Sequence, residues 1–236
     1  MTKHADAQDE SPKKWGIFAA AGWAMIAFLA PQFALFPFAP IIEALAQDQN
    51  TQMFLYQGIA ELGAIALLWV IMKRLYRAKF SDIGLGKFDV TLFGWSILAF
   101  PLYMIASIVA TDVAFRFFNV DIEQAQDIGY ADPSGGILVL VFIALVCLAP
   151  FVEELLFRGF LFNAFRRTFG FWVGSVAVSL LFAIAHQQLN VGIDVFVLSM
   201  FLCFLREKTG SLWPAIGLHA LKNLVAFTYL FIIQIK

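Results

Sequence analysis

The sequence predicts an all-α, polytopic membrane protein of about seven transmembrane helices, six to eight at the limits, with a polar site inside the membrane. Three observations predict it. Of 236 residues, 61% are hydrophobic, and the mean hydropathy is +0.80. Charged residues make up 14%, against about 25% in an ordinary soluble domain. Apolar runs of about 20 residues, the length that crosses a bilayer as a helix, recur along the chain. The runs are continuous rather than alternating, which argues against a membrane β-barrel and leaves helices to satisfy the backbone in lipid. The net charge of -1 comes with no nucleic-acid signature, so the expected surroundings are membrane lipid. Cys147 and Cys203 both fall in apolar runs and read as core residues, not as a disulfide framework.

Taken in order, residues 1–14 form a polar tail, and 15–236 one helical membrane domain. Lys13 and Lys14 precede an apolar run, as in a signal peptide. That run is too long and lacks a small-x-small cleavage site, so it reads as an uncleaved first helix. It covers 15–42, and Pro31, Pro37 and Pro40 predict a break in its second half. A polar loop, 43–52, leads to the second span, 53–72, which contains Glu61. Lys73, Arg74, Arg77, Lys79 and Lys87 cluster in the loop 73–89. The third span is 90–115, with Pro101 inside, and an acidic loop, 116–136, ends in the turn sequence Asp132-Pro133-Ser134-Gly135-Gly136. The fourth helix begins near Ile137 and runs to Arg167; the fifth span is 171–186. The sixth, 191–205, is short for a crossing, and the seventh is 212–235. With the N-terminus cytoplasmic, nearly all Lys and Arg outside the spans fall on the inner side, and only Arg116 and Lys236 on the outer. The positive-inside rule therefore predicts a cytoplasmic N-terminus, and the expected location is a bacterial inner membrane or its equivalent.

Glu153 and Glu154 sit in the middle of a long apolar run. An ionisable side chain at membrane depth costs at least a few kcal/mol, and is usually paired and functional. Arg158 lies one turn after Glu154, so the two can pair on one helix face, while Glu153 points about 100° away. Two of the three histidines are also in spans: His186 ends the fifth, and His219 shares a face of the seventh with Asn223. Counted from the span ends at about 1.5 Å per residue, Glu153, His186, His219 and Asn223 can reach one layer near mid-membrane, on its cytoplasmic half, and the site is expected to open to the cytoplasmic side. Together they hold the parts of a hydrolase. A carboxylate and an imidazole can deprotonate a water, and an imidazole with an amide can stabilise an oxyanion. Glu153, His186 and His219 could instead ligate zinc, although no His-Glu-x-x-His pattern occurs and Asn is a poor ligand; metal-free chemistry is preferred. Each residue also has a bland reading, as a helix brace or a satisfied core polar group. Glu61, Asp112 and Asp194 read as structural or interfacial.

At these residues the chain resembles the CPBP family of CAAX prenyl endopeptidases, bacteriocin-processing and abortive-infection proteins. Glu153-Glu154-Leu155-Leu156-Phe157-Arg158 matches its Glu-Glu-x-x-x-Arg motif, Phe182 to His186 its Phe-x-x-x-His, and His219 to Asn223 its His-x-x-x-Asn. Each motif is loose alone; three in order within 145–230 are specific. The resemblance implies a multi-helix intramembrane endopeptidase acting on a membrane-associated, in some members prenylated, peptide. By the same carry-over Glu153 and His186 activate the water, His219 and Asn223 support the oxyanion, and Glu154 and Arg158 shape and charge-balance the site. The alternative is a non-proteolytic scaffold, immunity factor or transporter on the same fold.

Overall fold

The computed structural model describes residues 14–120 and 128–233. Most of the expected polar tail (1–13), the middle of the acidic loop (121–127) and residues 234–236 lie outside the described residues. Among those described, every regular element is helical, and the chain is an integral, multi-pass membrane protein.

Helix α1 (Ile17–Leu35), a 3-10 turn (Phe36–Phe38) and α2 (Ala39–Leu45) form one apolar stretch. The break predicted from the prolines is that short turn, and it re-aims the crossing without ending it. Pro37 and Pro40 sit in the first turns of new helices, where no N–H is missed. Pro31 stays inside α1 and faces Gly63 of α3 (Gln49–Ile71). A Cβ on Gly63 would come within 2.9 Å of the Pro31 Cβ, so the two helices approach this closely because residue 63 has no side chain. Asp48 starts α3 by accepting from the Thr51 amide at 2.8 Å. A π-helical turn (Met72–Tyr76) ends it, and α4 (Val90–Phe118) follows, capped by Asp89.

The longest stretch, Gly135–Ala185, holds α5 (Gly135–Phe142), a π segment (Ile143–Leu148), α6 (Ala149–Glu154), a second π segment (Leu155–Leu161) and α7 (Phe162–Ala185). Its 51 residues would reach about 75 Å as one helix, more than twice the bilayer core. Gly170, with φ 76° and ψ 179°, breaks it; that conformation is open essentially to glycine alone. The stretch therefore crosses twice, with the break where the sequence placed it. Helix α8 (Leu189–Thr209), at 21 residues, is long enough for a full crossing, unlike the short span read from 191–205. The apolar run was closed at Arg206 and held Asp194 inside it, and both charges are accommodated. Asp194 accepts from Tyr103 at 2.6 Å and from Ser107, and Arg206 donates to the Ile83 carbonyl at 3.1 Å. Helix α9 (Trp213–Thr228) runs into a last π turn (Tyr229–Ile233).

Helix α7 packs on α8, α1 on α3, and α4 on α8 and α9. One core cluster joins Trp15, Leu68, Phe160 and Phe162; the outer surface presents Phe18, Phe33, Phe117, Phe118 and Trp172. Such a surface is a liability in water and an asset in lipid. The ends of the bundle differ. At one, the Leu212 amide donates to Gly84, Trp213 to Gly86, and Arg166 forks onto Glu207 with two bonds of 2.6 Å. At the other, Asn50 and Ala131 exchange hydrogen bonds of 2.8 and 2.9 Å.

Candidate active site

The six residues of α6 that carry both carboxylates lie between two π segments. Wide turns of this kind are frequent at functional sites, because the altered spacing turns side chains and carbonyls off the helical register. Three side chains donate to carbonyls of these segments. Asn223 Nδ2 reaches Leu145 O at 2.8 Å, Trp15 Nε1 reaches Phe160 O at 3.0 Å, and Asn163 Nδ2 bonds Gly159 O. Trp15 also stacks on Phe160, and Arg167 donates to its carbonyl at 2.9 Å. The carboxylate segment is thus braced from α9, from the start of the chain and from α7.

Glu154 is fully buried, and its Oε1 receives two donors: Arg158 Nη1 at 2.8 Å and His219 Nδ1 at 3.0 Å. The Arg158 guanidinium, also fully buried, lies 4.3 Å from the centre of the Phe182 ring. A buried carboxylate persists only when paired, and here one acid, one guanidinium and one imidazole from α6, the next π segment and α9 pair together. His219 links the two acids: its Nε2 lies 3.8 Å from Glu153 Oε2. That oxygen is buried and has no hydrogen-bond partner. His186 closes α7 with its Nδ1 2.8 Å from the Phe182 carbonyl, so Nδ1–H donates and Nε2 is left as the acceptor. The Phe182 ring stands edge-on to both imidazoles, 4.9 Å from His186 and 5.8 Å from His219. The residues named from sequence therefore fall into a Glu154–Arg158–His219 cluster with Glu153 beside it, and His186 joined to them through Phe182. Asn223 is engaged with Leu145 rather than with either imidazole.

Glu153 also lines a cavity of about 390 Å³ with Phe28, Gln32, Met53, Gln57 and Glu61 among its walls. Of the residues named from sequence for the site, it alone does so. Gln57 and Glu61, which share that cavity, were not among the residues named from sequence for the site. The signal was present: they are one turn apart, and Glu61 is an ionisable group within the second span. For zinc, the donors to test are Glu153, His186 and His219. Among the described residues no three His, Cys, Asp or Glu gather as a metal site. One nitrogen of each imidazole is already committed, to Glu154 and to the Phe182 carbonyl.

Residues 135–225 match the family described as Rce1-like, type II CAAX prenyl endopeptidase Rce1-like. An uncharacterized 24.3 kDa protein of Escherichia coli is 34% identical over 95 residues, 38% of this chain and 44% of that protein, so the chain spans less than half of that relative's length. The putative membrane peptidase YdiL of Bacillus subtilis (strain 168) is 20% identical over 219 residues, 90% of this chain and 88% of that protein. No solved structure matches. It is through the segment holding both carboxylates and both imidazoles that the chain resembles the Rce1-like endopeptidases.

Proposed function

We propose that the protein is an intramembrane endopeptidase that hydrolyses a membrane-associated peptide with a water activated by Glu153, without a metal. The observation that carries this reading is the bare Glu153 Oε2, at the edge of a cavity and 3.8 Å from His219 Nε2. An acceptor in that position is where a water would be held. Glu153 takes one proton from the water as its oxygen attacks the scissile carbonyl carbon, and returns it to the leaving amine. His186 offers its Nε2 lone pair as a second acceptor for that water. His219, fixed by Glu154 as a triad histidine is fixed by its acid, presents Nε2 to the same space and in its charged form donates to the oxyanion. Asn223 braces the turn before the carboxylates through Leu145 and leaves its amide oxygen and second hydrogen for substrate. Glu154 and Arg158 supply the buried charge balance.

Glu153→Ala and His219→Ala, reconstituted in lipid, should lower processing by about 10²–10⁴-fold, the usual worth of a general base, with the fold retained by circular dichroism. Unchanged processing in both refutes the proposal. One equivalent of zinc by elemental analysis, lost together with activity on chelation, would move the chemistry to the metal. The peptide that accumulates in cells carrying Glu153→Ala identifies the substrate, and its processing with and without a prenyl group decides whether lipid is required.

A further inference from the structure

The cavity beside Glu153 has a direction. Its walls come from the last turns of α1 (Phe28, Gln32, Leu35), the first turns of α3 (Met53 to Glu61), Ile128, and Leu145 and Ala149 leading down to Glu153. All run toward the end of the bundle where Asn50 and Ala131 bond to each other. No wall residue comes from the loop 77–89, from the Gly170 turn or from the α8–α9 turn. Those three segments make up the other end, held together there through Gly84, Gly86, Arg166, Arg206 and Glu207. Charge separates the two ends in the same sense. The closed end carries Lys79, Lys87, Arg166, Arg167, Arg206 and Lys208. The end toward which the cavity runs carries Glu43, Asp48, Asp132 and an Arg116 already paired with Asp112 at 2.7 Å. Basic loops stay in the cytoplasm.

We propose that the site is loaded from the non-cytoplasmic face, so that its substrate is a peptide segment presented in the outer leaflet or outside it. The identity of that substrate as a peptide rests on the function proposed above; the direction of access does not. The lining suits such an occupant. Tyr130 donates to Gln57 at 2.7 Å, and Gln57 donates in turn to Glu61 Oε1 at 2.8 Å. The chain of donors points at Glu61, whose Oε2, like that of Glu153, is buried without a partner. Two bare acceptors on facing walls call for N–H donors, which an extended backbone supplies, while Phe28, Leu35, Met53 and Leu145 take its apolar side chains.

The test is thiol accessibility in sealed vesicles of the full chain, with Cys147→Ser and Cys203→Ala removing the native thiols. Ala60→Cys reports the depth of the cavity, Met53→Cys its mouth, and Lys79→Cys the basic end. A membrane-impermeant charged methanethiosulfonate should modify Ala60→Cys and Met53→Cys from one face and Lys79→Cys only from the opposite face, the one that is cytoplasmic by a fused reporter. Modification of Ala60→Cys from the same face as Lys79→Cys overturns the proposal. So does modification of Met53→Cys with Ala60→Cys closed to reagent from both faces, because the cavity would then lead nowhere. No substrate is used, so failure here is distinct from Glu153→Ala retaining activity.

Discussion

Glu154 and Asp194 both lie within this bundle with a basic side chain in reach, and they are held in opposite ways. Glu154 is fully buried and loads both donors, Arg158 and His219, onto one oxygen. Asp194 keeps 26% of its side chain exposed, takes neutral hydroxyls from Tyr103 and Ser107, and stands 3.7 Å from Lys222 Nζ. The first cluster joins α6, the following π segment and α9 around the candidate chemistry. The second ties α4, α8 and α9 through Tyr103, Ser107, Asp194 and Lys222. Residue types do not separate the two. What separates them is burial and the kind of donor: Glu154 is fully enclosed and held by a guanidinium and an imidazole, while Asp194 is partly exposed and held by two hydroxyls.

Substitutions should break this contrast in a fixed order. Arg158→Ala strands a buried carboxylate, and should cost about 3–5 kcal/mol, enough to abolish or sharply lower the thermal unfolding transition in detergent. Tyr103→Phe removes one hydroxyl from Asp194 and leaves the other, so a loss of about 1 kcal/mol or less is expected by the same measurement. A double-mutant cycle of Asp194→Asn with Lys222→Met should return a coupling below about 1 kcal/mol, in keeping with a loose, partly exposed pair. If the cycle returns several kcal/mol, the two clusters are of one kind after all. The smallest effect is expected outside the membrane. The Thr51 hydrogen bonds hold the Asp48 carboxyl below its ordinary range. A depressed carboxyl contributes above its unfolded value and loses that contribution as pH falls through the folded one. Acid should therefore fray the first turn of α3 and leave the bundle intact, seen as faster amide exchange at Thr51.

Much of this architecture was legible from composition and punctuation. Continuous apolar runs gave the spans, and the Gly170 break fell where 167–171 interrupts them. The motif spacing named Glu154–Arg158 as a pair, and hydrogen-bond geometry gives the same pair. The π segments were not legible, because in a run such as Ile143–Leu148 nearly every residue is apolar and periodicity has nothing to register against. The task of Asn223 was hidden for that reason: its partner is a main-chain carbonyl, which no side-chain pattern encodes. Arg206 misled the reading of α8 because a guanidinium ends an apolar run on paper, whereas here it donates to the Ile83 carbonyl; Asp194, inside that run, read only as structural or interfacial. Two hydroxyls nearly 90 residues earlier in the chain are what let it sit in a helix that crosses the membrane.

The bond from Trp15 to Phe160 spans 145 residues, and that from Glu154 to His219 another 65. During synthesis, at about 5–20 residues per second, the first helix enters the bilayer well before the segment it will brace. The acid–guanidinium pair forms next, and the imidazole of α9 arrives last. A chain halted before α9 holds the Glu154–Arg158 pair but lacks both His219 for Glu154 and Lys222 for Asp194.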